Sequence, residues 1–167
     1  LRRGQKAVRW LARVPFVRGV AICNTVAFGW PRVESDIDVV VIIKNGRLWS
    51  ARFLATVLLS ITRFRRHRTL IADRICLSFY LTEAALDLQT ISLGSPDTYL
   101  VYWLTHLIPM YEESAFFTRL EEENSWIKSF LPHAECPAVQ SLYSVRLNWL
   151  ERVFKKNVEW LGTGFFG

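Results

Sequence analysis

The sequence predicts an α+β fold: a small mixed β-sheet with helices packed on it, followed by an α-helical C-terminal segment. Three observations carry this expectation. Short runs of branched apolar residues alternate with helical periodicities in the first half. After Gly94-Ser95-Pro96 every periodic stretch reads as helix. Val39-Val40-Val41-Ile42-Ile43 has no polar alternation, so it reads as a strand buried on both faces, which requires layers above and below it. The expected division is residues 1–93 for the sheet core and 94–167 for the helical segment.

Taken in order, Gln5 to Val14 carries Ala7, Val8, Leu11 and Val14 at helical spacing between basic residues, an amphipathic first helix ended by Pro15. Val17 to Cys23 is a short strand. Asn24 is expected to cap a brief turn of helix through Ala27, stopped by Gly29. Trp30 to Ser35 is a loop and Asp36 to Ile43 the central strand. Lys44-Asn45-Gly46 is a turn. Leu48 to Thr62 is a long apolar helix on the sheet, and the basic run Arg63 to Arg68 suits the negative end of its dipole. Ile75 to Leu81 is a strand with Cys76, Ser78 and Tyr80 expected on one face and Ile75, Leu77, Phe79 and Leu81 on the other. Thr82 to Leu88 reads as a short helix. Asp97 caps a helix from Thr98 to Leu107 that Pro109 closes. Ser114 to Phe130 is the next helix, with Glu121, Glu122 and Glu123 on a solvated face. Pro132 to Pro137 is a loop, and Ser141 to Leu161 is the last helix.

Composition narrows the classes. Half of the 167 residues are apolar, enough for a packed core rather than a disordered chain. The net charge of +6 favours an anionic partner such as nucleotide or nucleic acid. No apolar run is long enough to span a bilayer, and the opening LRRGQKAVRW lacks the apolar stretch of a signal peptide. Cys23, Cys76 and Cys136 are widely spaced with no CxxC pair, so neither a zinc ribbon nor a disulfide framework is indicated; reduced thiols and a cytoplasmic location are expected.

The chemistry concentrates between Asn24 and Ile43. Asp36-Ile-Asp38 at the mouth of a strand places two carboxylates on one face. Two acids beside a dry strand are costly unless a cation compensates them, and hard oxygen ligands suit Mg²⁺ or Mn²⁺.

A small-polar pair, a gap, and Asp-x-Asp opening a strand resembles the DNA polymerase β-like nucleotidyltransferase superfamily. Cys23-Asn24-Thr25 stands where that family carries apolar–Gly–Gly/Ser, and Asp36 and Asp38 stand at the metal ligands. The resemblance covers Phe16 to Leu88; the later helices loosely fit the helical partner domain of antibiotic nucleotidyltransferases. It implies transfer of an NMP group from an NTP to a hydroxyl acceptor of unspecified kind. Asp36 and Asp38 would be catalytic and would hold Mg²⁺ (or Mn²⁺), and Asn24, Thr25 and Arg32 would bind the nucleotide. The resemblance further implies a possible homodimer or partner protein. Two positions depart from the pattern. Asn24 replaces a glycine, and asparagine tolerates the left-handed conformation better than most residues. Cys76 falls where the family carries a third acid on the neighbouring strand, with Asp73 and Glu83 as substitutes from its flanks. A catalytically degenerate member that binds nucleotide, nucleic acid or a partner protein, as in toxin–antitoxin pairs, is the alternative. A nucleic-acid module built on the basic run is another.

Overall fold

Strand β2 (Ile37–Ile43) forms on the densest apolar run of the chain and lies inside a four-stranded sheet. Its neighbours are β1 (Val17–Cys23), antiparallel to it, and β3 (Ile75–Thr82), parallel to it. The fourth strand, β4 (Ile108–Glu112), pairs antiparallel with the far side of β1, giving the order β3-β2-β1-β4. The structure is a computed structural model and describes residues 2–94, 96–133 and 144–165. Cys136, the part of the Pro132 to Pro137 loop beyond His133, and the expected start of the last helix at Ser141 lie outside the described residues.

Both faces of the sheet are covered. On one, Ile37, Val39, Val41 and Ile43 pack with Ala7, Val8 and Leu11 of α1 (Arg2–Ala12) and Ala51, Ala55 and Leu59 of α3 (Leu48–Ile61). On the other, Val40 and Ile42 meet Leu100, Val101, Trp103 and Leu104 of α4 (Thr98–Thr105), together with Phe116, Phe117 and Leu120 of α5 (Phe116–Glu123). The uninterrupted apolar run of β2 thus has its physical reason: neither face reaches water. The fold is the mixed α+β arrangement expected, with a helix at its C-terminal end.

Several elements correct the sequence reading. The second half is not helical throughout, because Ile108–Glu112 is a strand. Pro109 does not close α4 but sits within this edge strand, beside a register shift between Val20 and Ala21 of β1. An edge strand has a row of N–H groups that need no partner, so a proline is tolerated there. Thr82 ends β3, and residues 83–88 form turn and loop rather than a helix. The helix expected from Ser114 to Phe130 breaks at Asn124 into α5 and a short 3₁₀ turn, Ser125–Ser129. Asn124 is buried there. Its Oδ1 accepts from Leu88 N–H at 2.9 Å, and its Nδ2 donates to Leu86 O at 2.6 Å, fastening the 83–88 loop.

The faces of β3 also change along its length. Asp38 pairs with Cys76 and Val39 with Leu77, but Val40 pairs with Phe79, so Ser78 is an extra residue in the ladder. Beyond it the alternation is inverted. Tyr80 packs with the α1–α3 core, and Phe79 contacts Trp103 on the opposite side, at 5.1 Å between ring centroids. Tyr80 therefore does not share a face with Cys76 and Ser78.

The last helix, α6 (Trp149–Phe165), docks in an unusual sense. Asn148 and Glu151 cap its start reciprocally, each backbone N–H donating to the other side chain at 2.8 Å. The inward face is charged. Glu151 accepts from Arg13, Glu159 accepts from Arg18 at 2.8 Å and from Phe16 N–H at 2.6 Å, and Lys155, 3% exposed, donates to Ala12 O and Glu113. Trp149, Leu150, Phe154 and Trp160 face outward. Among the described residues no helix is long and apolar enough to cross a membrane.

Candidate functional site

The site lies where β1, β2 and β3 end together. Cys23 of β1 pairs with Asp38 of β2, which pairs with Cys76 of β3, so three side chains form a row across the strand tips. Asp36 precedes β2, and Ile37 N–H, held by Arg74 O at 2.7 Å, fixes the entry of the strand. A carboxylate oxygen of Asp36, one of Asp38 and the Cys76 Sγ all lie within 4.8 Å of one another, and each residue is partly buried. The acid pair named from the sequence is thus one cluster beside a cross-strand thiol. Two carboxylate oxygens and one sulfur stand close enough together to hold a divalent cation.

Two neighbours compensate the charge of the cluster. Arg66 Nη1 donates to Asp36 Oδ2 at 2.8 Å, and the Ser78 hydroxyl donates to Asp38 Oδ1. The bulge at Ser78 has a local role here: it supplies a second residue of β3 on the side of the acids before the alternation inverts. Burial pushes the Cys76 thiol up; the Ser78 bond works the other way, and the charges of Asp38 and Asp36 add to the rise. Deeper in the row, burial raises the Cys23 thiol, helped by the Asp38 charge.

The other predicted site residues have distinct places. Asn24 opens α2 (Asn24–Ala27) at φ +56°, so the position where the resembled family has glycine does adopt the left-handed conformation. It is not the helix cap, a place taken by Cys23 without a side-chain bond. The Asn24 Oδ1 instead accepts from the Tyr99 hydroxyl at 3.2 Å. Thr25 is exposed beside it. Arg32 is exposed on the turn before β2, which Ser35 closes by accepting from Arg32 N–H at 2.9 Å. Gly29, at φ +79°, ends the α2 turn as expected. Neither substitute for the third acid joins the cluster. Glu83 lies beyond the opposite end of the sheet, where it accepts from Asn45 N–H; five residues of strand at about 3.3 Å each make that about 17 Å away. Asp73 is exposed, and its backbone N–H donates to Ser35 O.

Four residues were not named from the sequence as parts of this site. Tyr99 and Tyr102 are substantially exposed on α4 alongside Asn24 and Phe28; Phe28 and Tyr102 ring centroids are 4.9 Å apart, and Tyr102 and His106 are 3.8 Å apart. Ser78 was placed on the face of Cys76, but its bond to Asp38 was not foreseen. Arg66 belongs to the basic run assigned to a helix end. That run is instead extended along β3, with Ile75 N–H donating to Phe64 O and Arg66 N–H to Ile75 O at 2.8 and 2.9 Å. Arg63, at φ +57°, makes the turn out of α3 that allows this.

Comparison with known proteins gives little more. No protein-family model and no curated protein matches the chain. One solved structure, described as the crystal structure of a toxin–antitoxin with AMP-PNP, is similar over 80% of this chain and 89% of that chain. The identity is 14% and the TM-score 0.39.

Proposed function

We propose that the protein is a metal-dependent nucleotidyltransferase that moves an NMP group from an NTP to a hydroxyl acceptor. The observation that carries this is the convergence of Asp36, Asp38 and Cys76 within 4.8 Å at the tip of a dry strand, next to a left-handed turn at Asn24. Asp36 and Asp38 would hold a divalent cation, which when bound neutralises charge on phosphate oxygens and favours pyrophosphate as leaving group. The chain's own residues do the positioning. Ser78 fixes one Asp38 oxygen, so the carboxylate is oriented before any ligand arrives. The turn at Asn24 and the exposed Thr25 hydroxyl offer donors to a triphosphate tail, and Tyr99 and Tyr102 offer ring faces to a base. In the reaction the acceptor hydroxyl gives up its proton to solvent water as its oxygen bonds to the α-phosphorus, and the bond from that phosphorus to pyrophosphate breaks.

The decisive measurement is titration calorimetry with each NTP, with and without Mg²⁺ or Mn²⁺, on wild type and on Asp36→Asn/Asp38→Asn. The expected result is metal-dependent binding that the double substitution removes. Binding indifferent to both metal and substitution would refute the proposal. One observation favours a second reading, a nucleotide-binding member without turnover: the third acid position of the resembled family is Cys76, a protonated thiol. Product analysis with a labelled NTP separates the two.

A further inference from the structure

The geometry points to a nucleic-acid strand as the acceptor, held in a basic cleft on the side of the acid pair away from Asn24; we propose this as the use of the arginine run. The cleft, about 580 Å³, is lined by Arg52, Arg65, Arg66, His67, Arg68 and Tyr80 among others, and reaches Cys76 of the acid cluster. Among the described residues no acid lines it. Of its four arginines only Arg66 has a carboxylate partner among the described residues, and that partner is Asp36 itself. Arg65 and Arg68 are exposed, yet their backbone is tied down, because the run is hydrogen-bonded to β3 and closes on itself through His67 N–H to Leu70 O at 3.0 Å. Cations on a fixed extended segment track a phosphate backbone at little ordering cost.

Two features separate this ligand from the NTP. The cleft borders Cys76 of β3, whereas Asn24 follows β1 on the other side of β2, so Asp38 lies between the two regions in strand order. The cleft also contains a ring face. Tyr80 lines it with Arg52 over its ring at 5.3 Å, a guanidinium–aromatic pair of the kind that stacks unpaired bases. Arg66, shared by cleft and acid pair, would bring the strand's terminal hydroxyl to the acids.

This inference rests on the transfer reading for the role of Asp36 and Asp38, and its test is independent of it. A fluorescein-labelled single-stranded RNA with a free 3′-hydroxyl is titrated by anisotropy over a KCl series, with wild type, Arg65→Ala/Arg68→Ala and Arg65→Lys/Arg68→Lys. The slope of log K against log[KCl] should become shallower by about 1.4 in the alanine variant, two contacts at about 0.7 each on a single strand, and return in the lysine variant. Metal-dependent NTP binding should survive in both. An unchanged slope in the alanine variant overturns the proposal. So does loss of NTP binding in that variant, which would give the cleft to the triphosphate, and so does equal competition by polyglutamate of matched charge. If wild type binds no NTP at all, the transfer reading fails while the anisotropy series still decides the cleft.

Discussion

Replacing Cys76 with aspartate should make the stability of the protein depend on divalent metal. The substitution sets a third negative charge within 4.8 Å of the carboxylates of Asp36 and Asp38. Each new pair at that separation costs about 0.9 kcal/mol at the dielectric of water and about 3.5 kcal/mol at an effective value near 20. Two pairs come to about 2 kcal/mol at the dielectric of water, and partial burial of all three residues raises this. Arg66, paired with Asp36 and also beside Cys76, offsets part of the increase. In a chain of this length about 2 kcal/mol corresponds to a Tm lower by about 4–8 °C. Melting followed by circular dichroism in EDTA should show that loss for Cys76→Asp, and millimolar Mn²⁺ or Mg²⁺ should reverse it, with a smaller response in wild type. A variant that melts with wild type in EDTA and ignores metal would refute the reasoning, because residue 76 would then not confront the acid pair.

Asn124→Ala should destabilise the fold by about 2–6 kcal/mol, because Leu88 N–H and Leu86 O lose their buried partner and each orphaned group costs about 1–3 kcal/mol; urea unfolding measures it, and a change below about 1 kcal/mol would contradict the assignment. A pH dependence follows from α6. Burial opposes the charge of Glu159, but Arg18 and Phe16 N–H outweigh it and hold the carboxyl below its ordinary value of 4.5; in Glu151 the Asn148 N–H does the same, aided by Arg13. A depressed carboxyl contributes stability that is complete above its unfolded value and fades as pH falls through the folded one. Attachment of α6 should therefore be intact at neutral pH and weaken below about pH 4.5, read from tryptophan emission, and Glu159→Gln should remove the Glu159 share of that dependence while that of Glu151 persists.

How much of this was legible depended on whether the signal was local. The β2 run, the acid pair at its mouth and the left-handed turn at Asn24 are short-range patterns, and Asp97 accepts from Leu100 N–H as a helix cap should. Ile108–Glu112 was not legible, because five residues containing a proline carry no alternation and become a strand only by pairing with β1. The extra residue at Ser78 was invisible for a similar reason: a bulge is defined by the partner strand's register. Arg66 looked like one of several helix-end cations, and only the path of the chain after Arg63 brings it to Asp36. The exposure of Tyr99 and Tyr102 was not legible either, since sequence cannot say that α4 leaves that edge uncovered.

The charged underside of α6 has a mechanical consequence. Most helices are glued down by grease, and agents that dissolve grease peel them off. This one is latched by Arg13, Arg18 and Lys155 against Glu151, Glu159 and Glu113. Protons are the key to such a latch, since salt screens pairs this buried only weakly, while mild detergent would coat the outer tryptophans and leave it shut. The tail and the body of this molecule thus answer to different solvents, and one can be loosened while the other stays whole.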